Sequence, residues 1–290
     1  TINADGDQVF FSKGNLQYDK STSTWSFMEH QYSTVETTDQ NVGNNYASQD
    51  VVSLFGWGTS GKTFASGYGT AYQPYATSST NTAYGPSGSY NLTGTYADGD
   101  WGVNMGSGWY TLSKDEWVYL LHTRSVNNGK GNGKSYTLGQ KVNDVLGVVL
   151  YPDDYTGELY TTAQSDNWSA FESAGCVFLP EAGYRDFTSV RSIGSTGNYW
   201  SSTASGTSKA YLVSFDSGTM VPAFDNYRSR GYSVRLVRPV NNAPALGDPY
   251  YSDGTWGNNT HASGATVIGI VAWLGSDSDL ACGKSHGLVM

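Results

Sequence analysis

The segment TLSKDEWVYLLHTR, residues 111–124, carries the clearest helix signal in the chain. Ser113 is followed three residues later by Glu116, the capping-box spacing in which each side chain accepts a hydrogen bond from the backbone N–H of the other residue. The acidic start and the basic end of the segment suit the helix dipole. Trp117 and the leucine pair that follows it lie on one helical face. The segment therefore predicts a capped helix that docks on a sheet.

Short strand patterns surround this helix, and Gly-, Asn- and Asp-rich turns separate them. The predicted strands and hairpins cover residues 9–18, 21–27, 135–142, 145–151, 176–179, 199–203, 210–215 and 232–237, and a short second helix covers 168–173. Because the strands follow one another with tight turns, we expect mostly antiparallel pairing, with a meander at the N-terminus. The predicted fold class is α+β, a loop-rich antiparallel sheet with few helices.

Residues 43–100 are rich in Gly, Ser, Thr, Asn and Tyr, and the stretch LFGWG at 54–58 is their one compact apolar island. The many aromatic residues predict an ordered, loop-heavy insertion rather than a disordered one. The Tyr-rich part, residues 68–96, is either a second contact surface or a cover for a sheet edge, and both interpretations stay open. The stretch NNGKGNGK, residues 127–134, lacks the strand and helix of a phosphate loop and predicts a plain turn.

The composition changes at residues 239–249 to Pro, Asn and Ala without periodicity, which is typical of a linker. A new strand pattern follows at 267–274, but a tail of about 45 residues cannot bury a core alone. We therefore expect one domain over residues 1–240, and over 241–290 a linker and the start of a second β-rich unit. Without a signal-peptide pattern at its start, the chain is expected to be a mature product or an excised fragment.

The composition favours a binding function. The chain has 36 Gly, 22 Tyr and 9 Trp, and charged residues make up only 14% of it, against about 25% in an average globular protein. Tyr and Trp offer large contact areas with a polar group attached, as recognition sites do. The net charge of −9 and the scattered basic residues argue against a nucleic-acid partner. No apolar run approaches 18 residues, so membrane insertion is not expected.

The metal-ligating residue types are sparse and scattered. Cys176 and Cys282 lie far apart and outside any CxxC motif, so each is expected to be a small buried residue, with a single disulfide between them as the alternative. The four His residues form no zinc pattern. Asp153, Asp154 and Glu158 could converge on a structural calcium ion, against the simpler interpretation as a solvated acidic turn. No other cofactor is predicted.

Four segments together resemble a known family: TLSKDEWVYLLHTR (111–124), GCVFLPEAGYRD (175–186), NYWSST (198–203) and GYSVRLVRP (231–239). They resemble the formylglycine-generating-enzyme-like, or sulfatase-modifying-factor-like, branch of the C-type lectin fold, in particular the exported major paralogous domains of Bacteroidetes and Fibrobacter. The resemblance implies a C-type-lectin-like fold in which the helix packs under a loop-rich sheet and a terminal strand closes the domain beside a Trp-containing strand.

The same resemblance implies an extracellular location, on a bacterial cell surface or a phage particle, and neighbouring repeats of the same protein as partners. The enzymes of this branch oxidise a substrate cysteine with a closely placed cysteine pair near the end of the domain. The corresponding stretch here, residues 198–238, contains no Cys. Because Ser or Tyr cannot replace a thiol in redox or soft-metal chemistry, we expect no such activity. The calcium motifs of sugar-binding C-type lectins are absent too, which leaves aromatic stacking as the route to sugar binding.

No other catalytic constellation is evident, since GxSxG and HExxH motifs are missing. The carboxylates of Glu29, Asp50, Glu116 and Glu181 could be brought together by folding, as a glycosidase would need. Glu116 is better explained by its capping box. The chain is therefore not expected to be an enzyme.

Loops on a rigid scaffold commonly carry recognition, and the stretch FDNYRSR, residues 224–230, has the donors, acceptors and ring that a sugar or peptide requires. The predicted ligand-binding residues are Tyr184, Arg185, Tyr199, Asp225, Asn226, Tyr227 and Arg228. Trp200 is expected in the core and Tyr199, facing the other way along a strand, in a more exposed position. In the alternative interpretation, Arg230 and Arg235 pair with Asp186 or Asp216 to brace the fold.

Three functional hypotheses follow from these observations. The first is a non-catalytic extracellular ligand-binding or adhesion module that recognises glycan or a surface protein through aromatic-rich loops. The second is a structural bead of a repeated surface adhesin, a fimbria or a phage fibre. The third is a divergent enzyme of the formylglycine-generating type.

Overall fold

A computed structural model describes residues 1–34, 51–62, 88–106, 108–126, 133–186, 189–240, 249–252, 266–276 and 285–289. The fold is dominated by small antiparallel sheets and contains few helices, as predicted. None of the helices in these ranges is long and apolar enough to cross a bilayer.

The strands are β1 (Val9–Phe11), β2 (Leu16–Asp19), β3 (Thr24–Phe27), β4 (Val51–Val52), β5 (Tyr136–Val142), β6 (Val145–Leu150), β7 (Val177–Pro180), β8 (Tyr184–Asp186), β9 (Ser189–Arg191), β10 (Gly197–Ser205), β11 (Lys209–Phe215), β12 (Met220–Tyr227), β13 (Val237–Pro239), β14 (Pro249–Tyr251), β15 (Val267–Ser276) and β16 (Ser285–Val289). The α-helices are α1 (Lys114–Val118) and α2 (Trp168–Ser173); Gly94–Gly99, Trp101–Asn104 and Thr162–Asn167 are 3₁₀ turns, and Tyr119–Thr123 is a π-helical turn. The sheets have the orders β1-β13, β3-β2-β4, β5-β6-β7, β8-β9, β10-β11-β12 and β14-β15-β16.

The predicted capping box is confirmed at the start of α1. The Ser113 hydroxyl accepts the Glu116 N–H at 3.2 Å, and the Glu116 carboxylate accepts the Ser113 N–H at 2.6 Å. The π-helical turn continues α1 to its end at Arg124, whose Nε donates to the Leu120 carbonyl at 2.6 Å. Trp117 is fully buried beneath the β10-β11-β12 sheet, so the helix docks as its apolar face predicts.

The first and last strands of residues 9–239 are partners. In the β1–β13 pair, Phe10 lies opposite Arg238. The predicted N-terminal meander is therefore wrong in its first step, because β1 does not pair with β2, whereas the antiparallel pairing of β2 with β3 is confirmed. The turn after β1 is held by the segment just before β13. The Ser12 N–H donates to the Leu236 carbonyl and the Leu16 N–H to the Val234 carbonyl, both at 2.9 Å.

The strand predicted over 232–237 is largely replaced by isolated bridges. Tyr232 pairs with Phe55, and Ser233 forms a parallel bridge with Tyr199, before regular pairing begins at β13. The backbone of this segment thus bonds to several neighbours in succession and not to one strand. It joins the β10-β11-β12 sheet to the segment around Phe55 and to the residues that follow β1.

Each face of the β10-β11-β12 sheet packs against an apolar cluster. Trp200 and Leu212 face one apolar cluster, which contains Trp57, whereas Tyr199 and Val213 face a second cluster, which contains the α1 tryptophan. The expectation of an exposed Tyr199 is therefore wrong, because α1 closes the face to which this side chain points. The Trp200 side chain is buried as expected.

The apolar island at 54–58 anchors the insertion. Leu54, Phe55 and Trp57 are fully buried. The Trp57 indole N–H donates to the Ser201 carbonyl and the Trp200 indole N–H to the Phe55 carbonyl, both at 2.7 Å. The island is thereby fixed to β10.

Much of the insertion lies outside the described residues, including 63–87. In the described part, Tyr90 is buried and Tyr96 half-buried, so these two rings pack inward. The predicted turn at 127–134 also lies mostly outside the described residues.

The tail forms a three-stranded antiparallel sheet from β14, β15 and β16, of which the sequence pattern at 267–274 predicted β15. Its side chains Val267, Ile268 and Ile270 are more than half exposed. Most of the predicted linker and all of residues 277–284, including Cys282, lie outside the described residues. The division into 1–240 and 241–290 stays a prediction.

A buried carboxylate joins the insertion to α1. Asp100 accepts the Gly102 N–H at 2.8 Å, the Thr111 N–H at 2.9 Å and the Thr111 hydroxyl at 3.1 Å. Burial raises the pKa of Asp100 to about 6, although the three hydrogen bonds lower it and so offset part of this effect. The ionised form is therefore costly inside the fold.

Candidate functional site

The large exposed apolar side chains of residues 1–240, within the described ranges, concentrate on one strand. Val221, Phe224 and Tyr227 of β12 are 38%, 44% and 39% exposed, and Val103 at 41% is the one other such side chain there. β12 is the edge strand of its sheet. The loop predicted at 224–230 is wrong in its first half, because residues 224–227 continue β12 and pair with β11.

Cross-strand pairing places two charged residues beside two tyrosines. Lys209 lies opposite Tyr227, and Tyr211 opposite Asp225. The Lys209 Nζ is 3.0 Å from the Asp225 Oδ1 and 5.7 Å from the centroid of the Tyr227 ring. Because consecutive residues of a strand point to opposite faces, Lys209, Tyr211, Asp225 and Tyr227 share one face, whereas Phe224, opposite Leu212, lies on the other. We call the exposed and half-exposed side chains of Lys209, Tyr211, Asp225 and Tyr227 the hairpin surface.

The Asp225 carboxylate is fixed in place and ionised. The Ser205 hydroxyl donates to its Oδ2 at 2.7 Å, and this bond, together with the one from Lys209, lowers the pKa of Asp225. A charged carboxylate held by two donors keeps lone pairs free for the hydroxyl or amide protons of a ligand. The position is therefore preorganised for accepting hydrogen bonds.

A second lysine approaches the hairpin surface from α1. The Lys114 Nζ lies 5.3 Å from the centroid of the Tyr211 ring, and its backbone N–H donates to the Thr203 hydroxyl at 3.0 Å. Each of the two half-exposed tyrosines thus has an ammonium group over its ring. Such contacts orient a ring without burying it.

Arg228 does not belong to this surface, contrary to prediction. Its side chain is fully buried, with the guanidinium 4.7 Å from the ring centroids of both Trp57 and Tyr90. It donates to the carbonyls of Gly206 at 2.8 Å and Lys209 at 3.2 Å. Arg228 thus holds the open end of the β11–β12 hairpin against the core.

Arg185 is also fully buried, so the prediction of a ligand contact is wrong here too. Its backbone exchanges hydrogen bonds with Gly231, at 2.8 and 3.0 Å. Tyr184 is half-buried, with its ring 5.9 Å from that of Tyr232. Asn226 donates to the Tyr232 hydroxyl at 2.8 Å, so Tyr232 links two predicted site residues, Tyr184 and Asn226.

Of Arg230 and Arg235, only Arg230 pairs with an aspartate to brace the fold. The Arg230 guanidinium lies 2.7 Å from the Asp186 carboxylate, as that alternative requires. Arg235 instead donates to the side chains of Gln31 at 3.0 Å and Asn15 at 3.5 Å. Complete burial lowers the pKa of Arg235 to about 10.

The acidic turn does not assemble the calcium ligands that were considered. The Asp153 carboxylate lies 2.8 Å from Arg124 and also contacts the Thr1 ammonium. Partial burial raises the pKa of Asp153, but the hydrogen bonds from these two cations outweigh it and leave the pKa lowered. Within the described ranges no three His, Cys, Asp or Glu residues come together as a metal site.

The remaining candidates for catalysis are a cysteine and the carboxylates. Cys176 is a buried free thiol among apolar neighbours, as expected, and burial raises its pKa to about 12. Glu181 is buried, and burial and nearby Asp216 raise its pKa. Glu116 is occupied in its capping box, and Asp50 lies outside the described residues.

Sequence reasoning identified Asp225, Asn226 and Tyr227 but missed Lys209 and Tyr211. The alternation of residues 209–215 already places Lys209 and Tyr211 on one face of a strand. The sequence contains no sign of the strand that pairs with this one, because Pro222, Asp225 and Asn226 give β12 a low strand propensity.

Comparison with known proteins gives one family match. Residues 130–237 match the model of a family described as "Domain of unknown function (DUF8237)". This range extends from just before β5 to the start of β13 and includes the whole hairpin surface. No curated protein and no solved structure matches the chain.

Proposed function

We propose that this protein is a non-catalytic extracellular binding module whose ligand, a glycan or a surface protein, contacts the hairpin surface. The observation that carries the proposal is the exposed Tyr227 beside the half-exposed Tyr211, Lys209 and Asp225 on one face of the β11–β12 hairpin. Soluble proteins rarely leave neighbouring large apolar side chains exposed unless the surface contacts a partner. Aromatic side chains are also the type most enriched at binding sites.

The chemistry of the hairpin surface suits sugar hydroxyls or a polypeptide. Tyr211 and Tyr227 offer ring faces and hydroxyls, which stack on the apolar face of a pyranose or pack against an aliphatic side chain. Asp225 accepts hydrogen bonds, and Lys209 donates them. This combination replaces the calcium-bridged contact of sugar-binding C-type lectins, for which the sequence has no motif.

We further propose a C-type-lectin-like fold of the formylglycine-generating-enzyme-like branch. Three features support it: α1 with its Glu116 and Trp117 packs under the β10-β11-β12 sheet, the segment at 231–233 bridges the strand that contains Trp200, and β13 closes the domain against β1. The matched range 130–237 contains two of the four segments that carry the resemblance and most of a third. Export to a bacterial surface or a phage particle follows from the same resemblance.

One observation favours a second candidate, a structural bead in a repeated surface protein. The half-exposed Ile268 and Ile270 stand on one side of β15 in the tail sheet, two positions apart. A neighbouring unit of the same protein would cover them. Sedimentation of the chain against an Ile268→Ser, Ile270→Ser variant tests this candidate: self-association that the variant loses supports it, and a monomer at all concentrations contradicts it.

A glycan array and a pull-down from surface-protein extracts test the binding function. The chain is compared with Tyr227→Ala and with Val103→Thr, a matched change at an exposed apolar residue outside the hairpin surface. We expect a captured ligand whose affinity falls roughly tenfold or more in Tyr227→Ala and is unchanged in Val103→Thr. Blank results in both screens, or equal losses in both variants, contradict the proposal.

A further inference from the structure

An open groove of about 590 Å³, lined by polar and apolar atoms alike, lies at the closed end of the β11–β12 hairpin, opposite the end where Lys209 pairs with Tyr227. The groove is lined by the π-helical turn, the first half of β5 and the turn that joins β11 to β12. Its volume falls in the range of small-molecule sites. The groove is therefore separate from the hairpin surface.

The lining of this groove is basic, although the chain carries a net charge of −9. His122, Arg124 and Lys134 line it, and no Asp or Glu is among its described lining residues. The nearest acid along the chain, Asp216, points into its own turn, where its Oδ1 accepts the N–H groups of Gly218 and Thr219 at 2.8 Å. The described lining of the groove thus carries basic side chains and no acidic one, on an acidic protein.

The exposed side chains of His122 and Lys134 are available to a ligand as hydrogen-bond donors. Among the described residues, neither His122 nor Lys134 forms a salt bridge, and both side chains are exposed. Arg124 is different, because its guanidinium is buried and already donates to Leu120, Tyr151 and Asp153. Direct contact with an anion therefore falls to His122 and Lys134.

The groove also offers a ring and hydrogen-bonding groups. The half-buried Tyr136 ring lies 6.4 Å from the His122 ring, at an interplanar angle of 29°. The Gln140 side-chain N–H donates to the Leu138 carbonyl at 2.8 Å, so the Gln140 side-chain oxygen can accept a hydrogen bond from a ligand. The Ser217 hydroxyl is exposed on the facing turn. Such groups match the hydroxyls of a small polyol.

The walls of the groove are held close together by a glycine. Gly139 of β5 has a φ of +63°, and a Cβ there would lie 3.0 Å from the Ser217 carbonyl oxygen. Only glycine permits this approach without strain. The turn that carries Ser217 therefore packs directly on β5, and the groove is largely preformed.

We propose that this groove binds an anionic sugar, a pyranose that carries a carboxylate or a sulfate ester. The acidic group lies between Lys134 and His122, and the sugar ring lies against Tyr136. The charge complementarity of the groove selects the anion, and the ring and hydroxyl groups select a sugar over a bare ion. This site does not depend on the hairpin surface and is tested separately.

The test is an NMR titration of the isotope-labelled full chain with glucuronate, glucose 6-sulfate, unmodified glucose and inorganic sulfate. We expect both anionic sugars, or one of them, to shift the amide signals of Lys134, Tyr136 and Ser217, with affinity that weakens as salt is added. A response to glucuronate alone identifies a carboxylate ligand, and a response to glucose 6-sulfate alone identifies a sulfate ester. Each of these outcomes supports the proposal.

Variants separate a specific site from general attraction. Lys134→Gln should weaken binding about tenfold, the effect of losing one charge-assisted hydrogen bond. Lys62→Gln, the same change at an exposed lysine elsewhere, should have no effect. The proposal is overturned if neither anionic sugar shifts these signals, if glucose or inorganic sulfate binds as well as the anionic sugars, or if the two variants behave alike.

Discussion

The guanidinium of Arg228 lies 4.7 Å from the centroid of the Trp57 indole, so that a residue at the end of β12 packs on the apolar island far upstream in the chain. Tyr90 lies at the same distance from the guanidinium. Because the charge is fully buried, its stabilisation comes from the two rings and from the carbonyls that it contacts.

Replacing this arginine is expected to loosen the hairpin. Arg228→Ala removes both ring contacts and leaves the carbonyls of Gly206 and Lys209 with one donor fewer, so we expect a loss of roughly 2–4 kcal/mol in the free energy of unfolding. Denaturant titration measures it. Arg191→Ala is the matched control, since that side chain is 57% exposed and its ion pair should contribute under about 1 kcal/mol. Equal losses in the two variants contradict the role assigned to Arg228.

Removing the capping box at α1 is expected to lower the free energy of unfolding by less than the Arg228 substitution does. Ser113→Ala removes the hydroxyl that accepts the Glu116 N–H, and we expect a loss of about 1 kcal/mol in unfolding free energy. Ser113→Asp keeps a cap acceptor and should restore most of the stability. Chemical denaturation of the three proteins checks the order, and a Ser113→Asp variant no more stable than Ser113→Ala would be inconsistent with capping.

Asp100 predicts a pH dependence with a definite sign. Its pKa in the fold is about 6, raised from 3.8, so the folded state binds this proton more tightly than the unfolded state does. The contribution of Asp100 is therefore largest below pH 3.8 and is lost as the pH rises through about 6, by at most about 3 kcal/mol. Unfolding free energies of the natural chain and of Asp100→Asn should diverge in favour of the natural chain as the pH falls across this window. A difference that does not change with pH would refute the assignment.

Cys176 is expected to resist thiol reagents in the folded protein. Its pKa of about 12 and its burial leave almost no accessible thiolate at pH 8. In a Cys282→Ser background, a disulfide-exchange reagent should label no thiol in the native state and one in denaturant. Rapid native labelling would show that the cluster around Cys176 opens readily.

The sequence alone was sufficient to predict the elements whose structure depends only on neighbouring residues. The α1 cap requires only Ser113 and Glu116, and the β5–β6 hairpin requires only an alternating pattern and a tight turn at Asn143 and Asp144, both of which adopt positive φ. These features are decided within a few residues. Tertiary context was not needed to predict them.

The errors arose where distant segments decide the outcome. Tyr199 points to the strand face opposite Trp200, which would leave its side chain partly exposed in an uncovered sheet. Here α1 packs on that face and buries it. Arg228 stands in a polar stretch, but the rings of Trp57 and Tyr90 supply a buried site for its charge. Similarly, β12 forms against its own propensities because β11 provides the partner.

The pairing of β1 with β13 has a mechanical consequence. Val9 and Pro239 are direct partners, so the chain enters and leaves this unit at neighbouring points. Tension applied at Val9 and Pro239 would open this antiparallel ladder one pair at a time, as in unzipping. The two points at which the backbone enters and leaves residues 9–239 are therefore separated by only the width of one strand pair.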